Sequence, residues 1–208
     1  MSNRIIPAVK DNSEKQETYR TQLGRYHKAI KNGFYFEAML IDYAMFEDRM
    51  RSFLYHAAFF ADRLKSTVWN KTKPFFAKTV SEYKDDKETD SLGVTNITGK
   101  IKVIRCLLRW VAETDGGYQD DKYMSALKST CEGLDIKLLM DALDEIEQWC
   151  KYRNEIVHAL LNKRKTDVYL NIRNKAEEGM DLARTIDSQV KILKKGNVIR
   201  KSINAVMR

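Results

Sequence analysis

The sequence is short of the residues that make tight turns. Its 208 residues include only nine glycines and two prolines. β-sandwiches, barrels and βαβ units need many such turns, so these fold classes are disfavoured. Because 43% of the residues are hydrophobic, the chain can bury a substantial core, which argues against wholesale disorder. The composition therefore predicts an all-α protein.

Several kinds of site and segment are also missing. The three cysteines, Cys106, Cys131 and Cys150, form no CxxC pair, so neither a disulfide framework nor a zinc site is indicated. Glycine-rich phosphate-binding loops are absent. The chain lacks the apolar region of a signal peptide, and no apolar run approaches the roughly 18 residues that span a bilayer. We expect a cytoplasmic protein with no membrane partner and no cofactor.

The spacing of apolar residues predicts four or five long helices with no strand between them. Because facing apolar stripes bury one another, we expect a single domain, an antiparallel helical bundle spanning residues 1–208. The predicted long helices cover residues 13–31, 34–61, 101–111, 135–163 and 168 into the 190s, with a shorter helix at 123–131. We predict a flexible arm at 1–12 and an irregular connection at 62–98. The last helix and the residues that follow it form a basic C-terminal helix and tail at 163–208.

Positive charge is concentrated at the end of the chain. The net charge is +8, and residues 163–208, with twelve Lys or Arg against five acids, carry +7 of it. Residues 120–147 are the opposite, with eight acids against three lysines. A basic segment suits a partner that carries phosphate. A solvated helix face, or an electrostatic match between these two segments, would use the same residues, and both interpretations stay open.

The search for catalytic residues is short because there are only three histidines. His27 has the surroundings of a surface residue, and His56 lies among apolar residues, as a packing or interface side chain would. Glu155 and His158 form one E-x-x-H motif, but helical di-metal sites need two. Neither other histidine has a glutamate three positions before it. We therefore predict no metal site.

The most informative stretch surrounds His158. On a helix, Arg153 and His158 lie about 140° apart, and an apolar line passes between them through Leu143, Ile146, Cys150, Val157 and Leu161. Polar groups that flank a buried stripe are typical of a helix that faces a crevice or a subunit interface. Asn154 precedes His158 by four residues and shares its side, so it can orient the imidazole.

The pattern Arg153-Asn154-x-x-x-His158 resembles the R-x4-6-H signature of the HEPN superfamily. The motif lies late in an all-helical domain, after a helix with the charged and aromatic run Phe46-Glu47-Asp48-Arg49-Met50, as in that superfamily. The resemblance implies a metal-independent endoribonuclease, a toxin or defence effector of the abortive-infection or CRISPR type. It also implies a homodimer with a composite site, and control by an antitoxin or effector-complex protein.

These residue types suit RNA cleavage by an adjacent 2′-hydroxyl. An imidazole such as that of His158 can exchange a proton at neutral pH, and the guanidinium of Arg153 can stabilise charge on the phosphate. Flanking cations would bind phosphates without reading sequence; we assign this role to Lys151, Lys163, Arg164 and Lys165. Glu47 lies near the apolar face of its helix, where a contact to Arg153 would give its carboxylate a partner.

A different function uses the same residues. A non-catalytic helical adaptor of a defence or toxin–antitoxin system would bind RNA or a protein, with Arg153 and His158 at the interface. Structural roles are open as well, since Arg153 could pair with Glu155 and His158 could pack at an interface. The HEPN superfamily itself includes members that have lost catalysis.

Overall fold

A computed structural model describes residues 12–57, 96–159, 162, 164 and 170–195. Over these residues the chain forms α-helices and no strand, which confirms the all-α prediction. The six helices are α1 (Asn12–Lys31), α2 (Tyr35–His56), α3 (Ile97–Glu113), α4 (Lys122–Cys131), α5 (Ile136–Ala159) and α6 (Ile172–Lys195). No helix in this part of the chain is both long and apolar enough to cross a membrane.

The helix ends follow local sequence signals. α1 ends at Lys31, and Gly33 then takes a positive φ of 76°, a conformation that glycine adopts without steric cost. The carboxylate or amide oxygens of Asn96, Asp121 and Asp135 accept hydrogen bonds from backbone N–H groups in the first turns of α3, α4 and α5. These bonds satisfy N–H groups that have no partner within a helix.

The helix starts differ from the prediction by one residue at α1, α2, α4 and α5 and by four residues at α3 and α6. α1 begins at Asn12, one residue before the expected start. α3 begins at Ile97, so the end of the predicted connection is helical. α6 begins at Ile172, after Asn171, rather than at Val168. The predicted arm up to residue 11 and the connection from 62 to 95 lie outside the described residues.

α2 is the central helix. It packs against α1, α3 and α6, while α5 packs against α3 and α6. The core contains large aromatic side chains, and the rings of Phe46 on α2 and Trp149 on α5 meet edge to face with centroids 5.0 Å apart. Such pairs add to the stabilisation that comes from burying the rings. The core therefore lies between α2 and the helices around it.

α2 and α6 run in the same direction and approach closely. Asp42 meets Gly179, and further along both helices Arg49 pairs with Asp187. A Cβ atom at Gly179 would lie 2.7 Å from an oxygen of Asp42, so only glycine fits there without a shift. This parallel pair differs from the uniformly antiparallel arrangement that the sequence predicted.

The first turn of α6 is bonded to two other helices. The hydroxyl of Tyr26, on α1, donates to the carbonyl of Ala176 at 3.1 Å, and Nε1 of Trp149, on α5, donates to the carbonyl of Lys175 at 2.7 Å. Tyr26 and Trp149 are both buried. Their two donors therefore fix the position of α6 along α1 and α5.

Asp42 is an unusual core residue. Its side chain is fully buried, and neither carboxyl oxygen has a hydrogen-bond partner among the described residues. Burial raises the pKa of this carboxyl to about 8, although the guanidinium of Arg184 lowers it in part. A buried carboxyl is stable in its neutral form because ionisation without solvent is costly. At neutral pH Asp42 is therefore mainly protonated.

Candidate functional site

The motif residues lie on the last turns of α5, and two of them are well exposed. Asn154 and His158 are exposed, whereas Arg153 is half-buried. The guanidinium of Arg153 stands over the ring of Tyr43 on α2, with Cζ 4.1 Å from the ring centroid. This cation–π contact holds the guanidinium in one place. The motif thus lies at an accessible edge where α5 passes α2.

Arg153 has donors that the described residues do not use. Its Nη1 donates to Oδ1 of Asn154 at 2.7 Å, while its buried Nε has no hydrogen-bond partner in this part of the structure. It forms no ion pair with Glu155 or with any other described acid, so the structural ion pair considered above is not formed there. An unpaired buried donor on a charged group is unusual. It leaves Arg153 able to accept an anionic partner.

Glu47 supports this arrangement through Tyr43. The Tyr43 hydroxyl donates to Oε1 of Glu47 at 3.4 Å, and Oε2 of Glu47 forms an ion pair with Lys100 of α3. Burial and the Glu47 carboxylate raise the pKa of Tyr43, so its hydroxyl keeps its proton. No direct bond from Glu47 to Arg153 occurs among the described residues, because Tyr43 stands under the guanidinium. Glu47 therefore has a partner other than the one suggested by the sequence.

Lys100 is a buried cation that sequence reasoning missed. Its side chain is only 2% exposed. Nothing in the local spacing marks this lysine as different from the other basic residues of α3. The acid that it pairs with, Glu47, lies on another helix and more than fifty positions earlier in the chain.

The imidazole of His158 forms no hydrogen bond with a described residue. Asn154, which was expected to orient it, accepts its hydrogen bond from Arg153 instead. Outside the bonds within the helix, the backbone carbonyl of His158 accepts a hydrogen bond from Nδ2 of Asn162 at 3.5 Å. His158 is therefore open to a substrate or to another protein surface.

Apolar side chains are exposed beside the motif. Val157 is 40% exposed and Leu40 is 45% exposed, while Ile156 is buried. The contacts Tyr43–Arg153 and Phe46–Trp149 show that α2 and α5 are antiparallel here, so Leu40 and Val157 both lie one turn beyond Arg153. The expected buried line through Val157 is wrong at this position, because Ile156 and not Val157 faces the core in this turn.

Cys150, one turn before Arg153, is not a plausible nucleophile. Burial raises the pKa of its thiol to about 11, more than the Arg153 guanidinium lowers it. At neutral pH nearly all of this residue is the unreactive thiol, since the thiolate is the nucleophile.

The predicted phosphate-binding residues are only partly described. Lys151 is exposed and lies 3.7 Å from a carboxylate oxygen of Glu147. Arg164 is exposed, whereas Lys163 and Lys165 lie outside the described residues. In the acidic segment at 120–147, Asp144 and Glu147 form ion pairs with Arg105 of α3 and not with described residues of the basic C-terminal segment. The alternative of a match between the two charged segments is thus not seen in the described part of the chain.

The described residues contain no group of three or more His, Cys, Asp or Glu side chains that could hold a metal ion. Comparison with known proteins found no matching family model, no matching curated protein and no matching solved structure. The resemblance to the HEPN superfamily therefore rests on the motif and on its helical setting.

Proposed function

We propose that this protein is a metal-independent endoribonuclease, a toxin or defence effector, in which Arg153, Asn154 and His158 act on RNA. The proposal rests on the presence of two suitable groups on one helix, the guanidinium of Arg153 and the imidazole of His158. Arg153 is fixed over Tyr43 with a buried donor left unpaired, and the imidazole of His158 is exposed five residues further on. Cleavage of a phosphodiester requires a held cation and an open acid–base group, and α5 carries both.

The reaction needs two proton transfers and stabilisation of charge. His158 takes the proton of the 2′-hydroxyl, and the 2′-oxygen then attacks the adjacent phosphorus. Arg153 donates hydrogen bonds to the phosphate oxygens as negative charge builds on them. The bond to the 5′-oxygen breaks, which leaves a 2′,3′-cyclic phosphate and a 5′-hydroxyl end. Asn154 acts through Arg153, since its Oδ1 accepts from the guanidinium.

The departing 5′-oxygen must receive a proton from a second acid. One imidazole cannot hold and give up a proton on both sides of the phosphorus in the same step. A homodimer that brings two copies of His158 to one cleft supplies the second imidazole. The exposed Leu40 and Val157 beside the motif give a second copy an apolar surface to cover.

The dimer can be tested with two matched variants of α5. Val157→Asp places a charge on the proposed interface and is expected to give a monomer without cleavage activity, because burying an unpaired carboxylate is costly. Leu138→Asp is the control, since Leu138 is 41% exposed and Val157 is 40% exposed on the same helix. Light scattering during size-exclusion chromatography measures the mass of each. A Val157→Asp protein that stays dimeric would contradict the proposed interface.

The activity itself is tested on a mixed RNA pool in the presence of EDTA. We expect the wild type to cut the pool, with a 2′,3′-cyclic phosphate at the 3′ end of each upstream fragment and a hydroxyl at the 5′ end of each downstream fragment. Cleavage that stops when EDTA is added, or products that end in a 5′-phosphate, would overturn the mechanism. Binding of RNA without any cleavage would instead favour the non-catalytic adaptor.

A further inference from the structure

A concave surface lies between α1, α2 and α6, away from the motif. We call it the α1–α2–α6 cleft; its volume is about 1290 Å³, and neither Arg153, Asn154 nor His158 lines it. Along α6 its lining runs from Met180 to Lys194, which corresponds to a length of about 21 Å at 1.5 Å per residue. The cleft is therefore long and open, not a small enclosed cavity.

The surface of this cleft is cationic. Of the eighteen described residues that line it, seven are Lys or Arg and two are His, against a single acid, Asp187. Three other acids that pair with its cations, Glu17, Asp48 and Asp181, do not line it. A ligand in the cleft would meet positively charged groups first.

The floor of the cleft is built around a fixed arginine. The side chain of Arg49 is 12% exposed, its Nε donates to the Tyr19 hydroxyl at 2.8 Å, and its Nη1 pairs with Asp187. The guanidinium also stacks on the ring of Tyr19, 4.3 Å from the centroid. Lys191 contacts the same Asp187 at 2.8 Å. These bonds join the three helices below the open surface.

The rim of the cleft carries exposed cations. The side chains of Arg20 and Arg184 are 79% and 62% exposed, and among the described acids each pairs only with one that lies one turn away on its own helix. Exposed pairs of this kind are weak, so both guanidinium groups can turn to a ligand. Arginine is the side chain best suited to bind phosphate oxygens in pairs.

Lys194 adds charge that the described residues do not balance. It lines the cleft and forms no ion pair in the described part of the chain. Burial, followed by the nearby Arg49 guanidinium, lowers the pKa of Lys194. The ammonium group is therefore partly shielded from water and lies near a second cation. An anion in the cleft would relieve this repulsion.

We propose that the α1–α2–α6 cleft binds a single polynucleotide strand through its phosphates. An elongated basic groove suits a backbone with evenly spaced charges, and a concave surface does not suit a flat membrane. Tyr55, 39% exposed and on the lining, can stack on a base. The length corresponds to on the order of four nucleotides, the lower end of known single-strand sites. This inference goes beyond the proposed cleavage, since it involves other residues and holds whether or not the strand is cut.

Two double variants with the same charge change test the site. Arg20→Glu/Arg184→Glu reverses two cations of the cleft. Arg25→Glu/Arg173→Glu reverses two arginines on the same two helices that are also exposed and paired with acids but lie outside the cleft. Fluorescence anisotropy with 12-nucleotide oligouridine and with oligothymidine of the same length, in EDTA, measures binding and separates RNA from DNA.

The cleft variant is expected to weaken binding by at least about tenfold, and the control variant by less than about threefold. Each lost phosphate contact should also lower the slope of log K against log salt by about 0.7. An Arg153→Ala/His158→Ala protein should bind as the wild type does, so loss of cleavage and loss of binding are distinguishable. If the cleft variant fails to fold, Arg184→Gln/Lys194→Gln replaces it.

Three outcomes would overturn the proposal. The first is an equal loss of oligonucleotide affinity in the two double variants. The second is no binding of either oligonucleotide by the wild type, and the third is tighter binding of a duplex than of a single strand. Binding only to vesicles that contain phosphatidylserine would likewise assign the cleft to a membrane.

Discussion

Replacing His158 by alanine is expected to lower the rate of RNA cleavage by at least about a hundredfold, the lower end of what one positioned acid–base group contributes. The same change should leave the free energy of unfolding within about 0.5 kcal/mol of the wild type, as for other surface substitutions. The reason is that the imidazole is exposed and forms no hydrogen bond with a described residue. Activity and stability are therefore expected to separate.

The measurement is a single-turnover cleavage rate with excess protein and EDTA, together with urea unfolding of each variant. Gln148→Ala is the control, because Gln148 is an exposed polar residue of the same helix and has no role in the proposed reaction. Its rate should stay within about twofold of the wild type. Undiminished cleavage by His158→Ala would rule out the role assigned to this histidine, whatever the fate of the α1–α2–α6 cleft.

Replacing Asp42 by asparagine is expected to change how stability depends on pH. An ordinary aspartate ionises near 3.8, whereas burial raises the pKa of Asp42 to about 8 in the folded protein. Between these two values the folded state binds more protons than the unfolded state, so stability falls as the pH rises. Asparagine has the same shape and does not titrate. The variant should therefore match the wild type near pH 4 and exceed it at pH 9.

The expected difference is large. At about 1.4 kcal/mol per pH unit, the interval between the two pKa values sets an upper limit on the order of 6 kcal/mol. Urea unfolding at several pH values measures it, and Asp141→Asn is the control, since Asp141 is an exposed acid on α5 that does not contribute to the raised pKa of Asp42. A difference between Asp42→Asn and the wild type that does not grow with pH would show that this carboxyl is ionised in the core.

The helices could be predicted from the sequence because their apolar spacing is local information. The partners of the motif could not, since Tyr43 and Lys100 reach the site only through the packing of α2 against α5 and α3. Asp42 did carry a signal. It falls between Met39 and Phe46 on the apolar face of α2, and a lone acid in such a position indicates a buried carboxyl.

The cleft shows a second limit of sequence reasoning. Concentrated charge at the end of the chain indicated a basic surface, and α6 does contribute Arg184, Lys191 and Lys194 to the cleft. α1 contributes Lys15 and Arg20 as well, although its own composition gave no reason to single them out. The sequence shows how much positive charge a segment carries, whereas the packing of the helices decides which cations lie on the same surface.

The bonds from Tyr26 and Trp149 to neighbouring carbonyls of α6 restrict how this helix can move. Sliding it by one turn, about 5.4 Å, would break both bonds and would remove Gly179 from beside Asp42. Some allosteric proteins shift one helix past another by a full turn. The bonds described here disfavour such a shift of α6 along α2. If a ligand in the α1–α2–α6 cleft affects His158, we expect it to do so by rotating or bending α2 and α6 together.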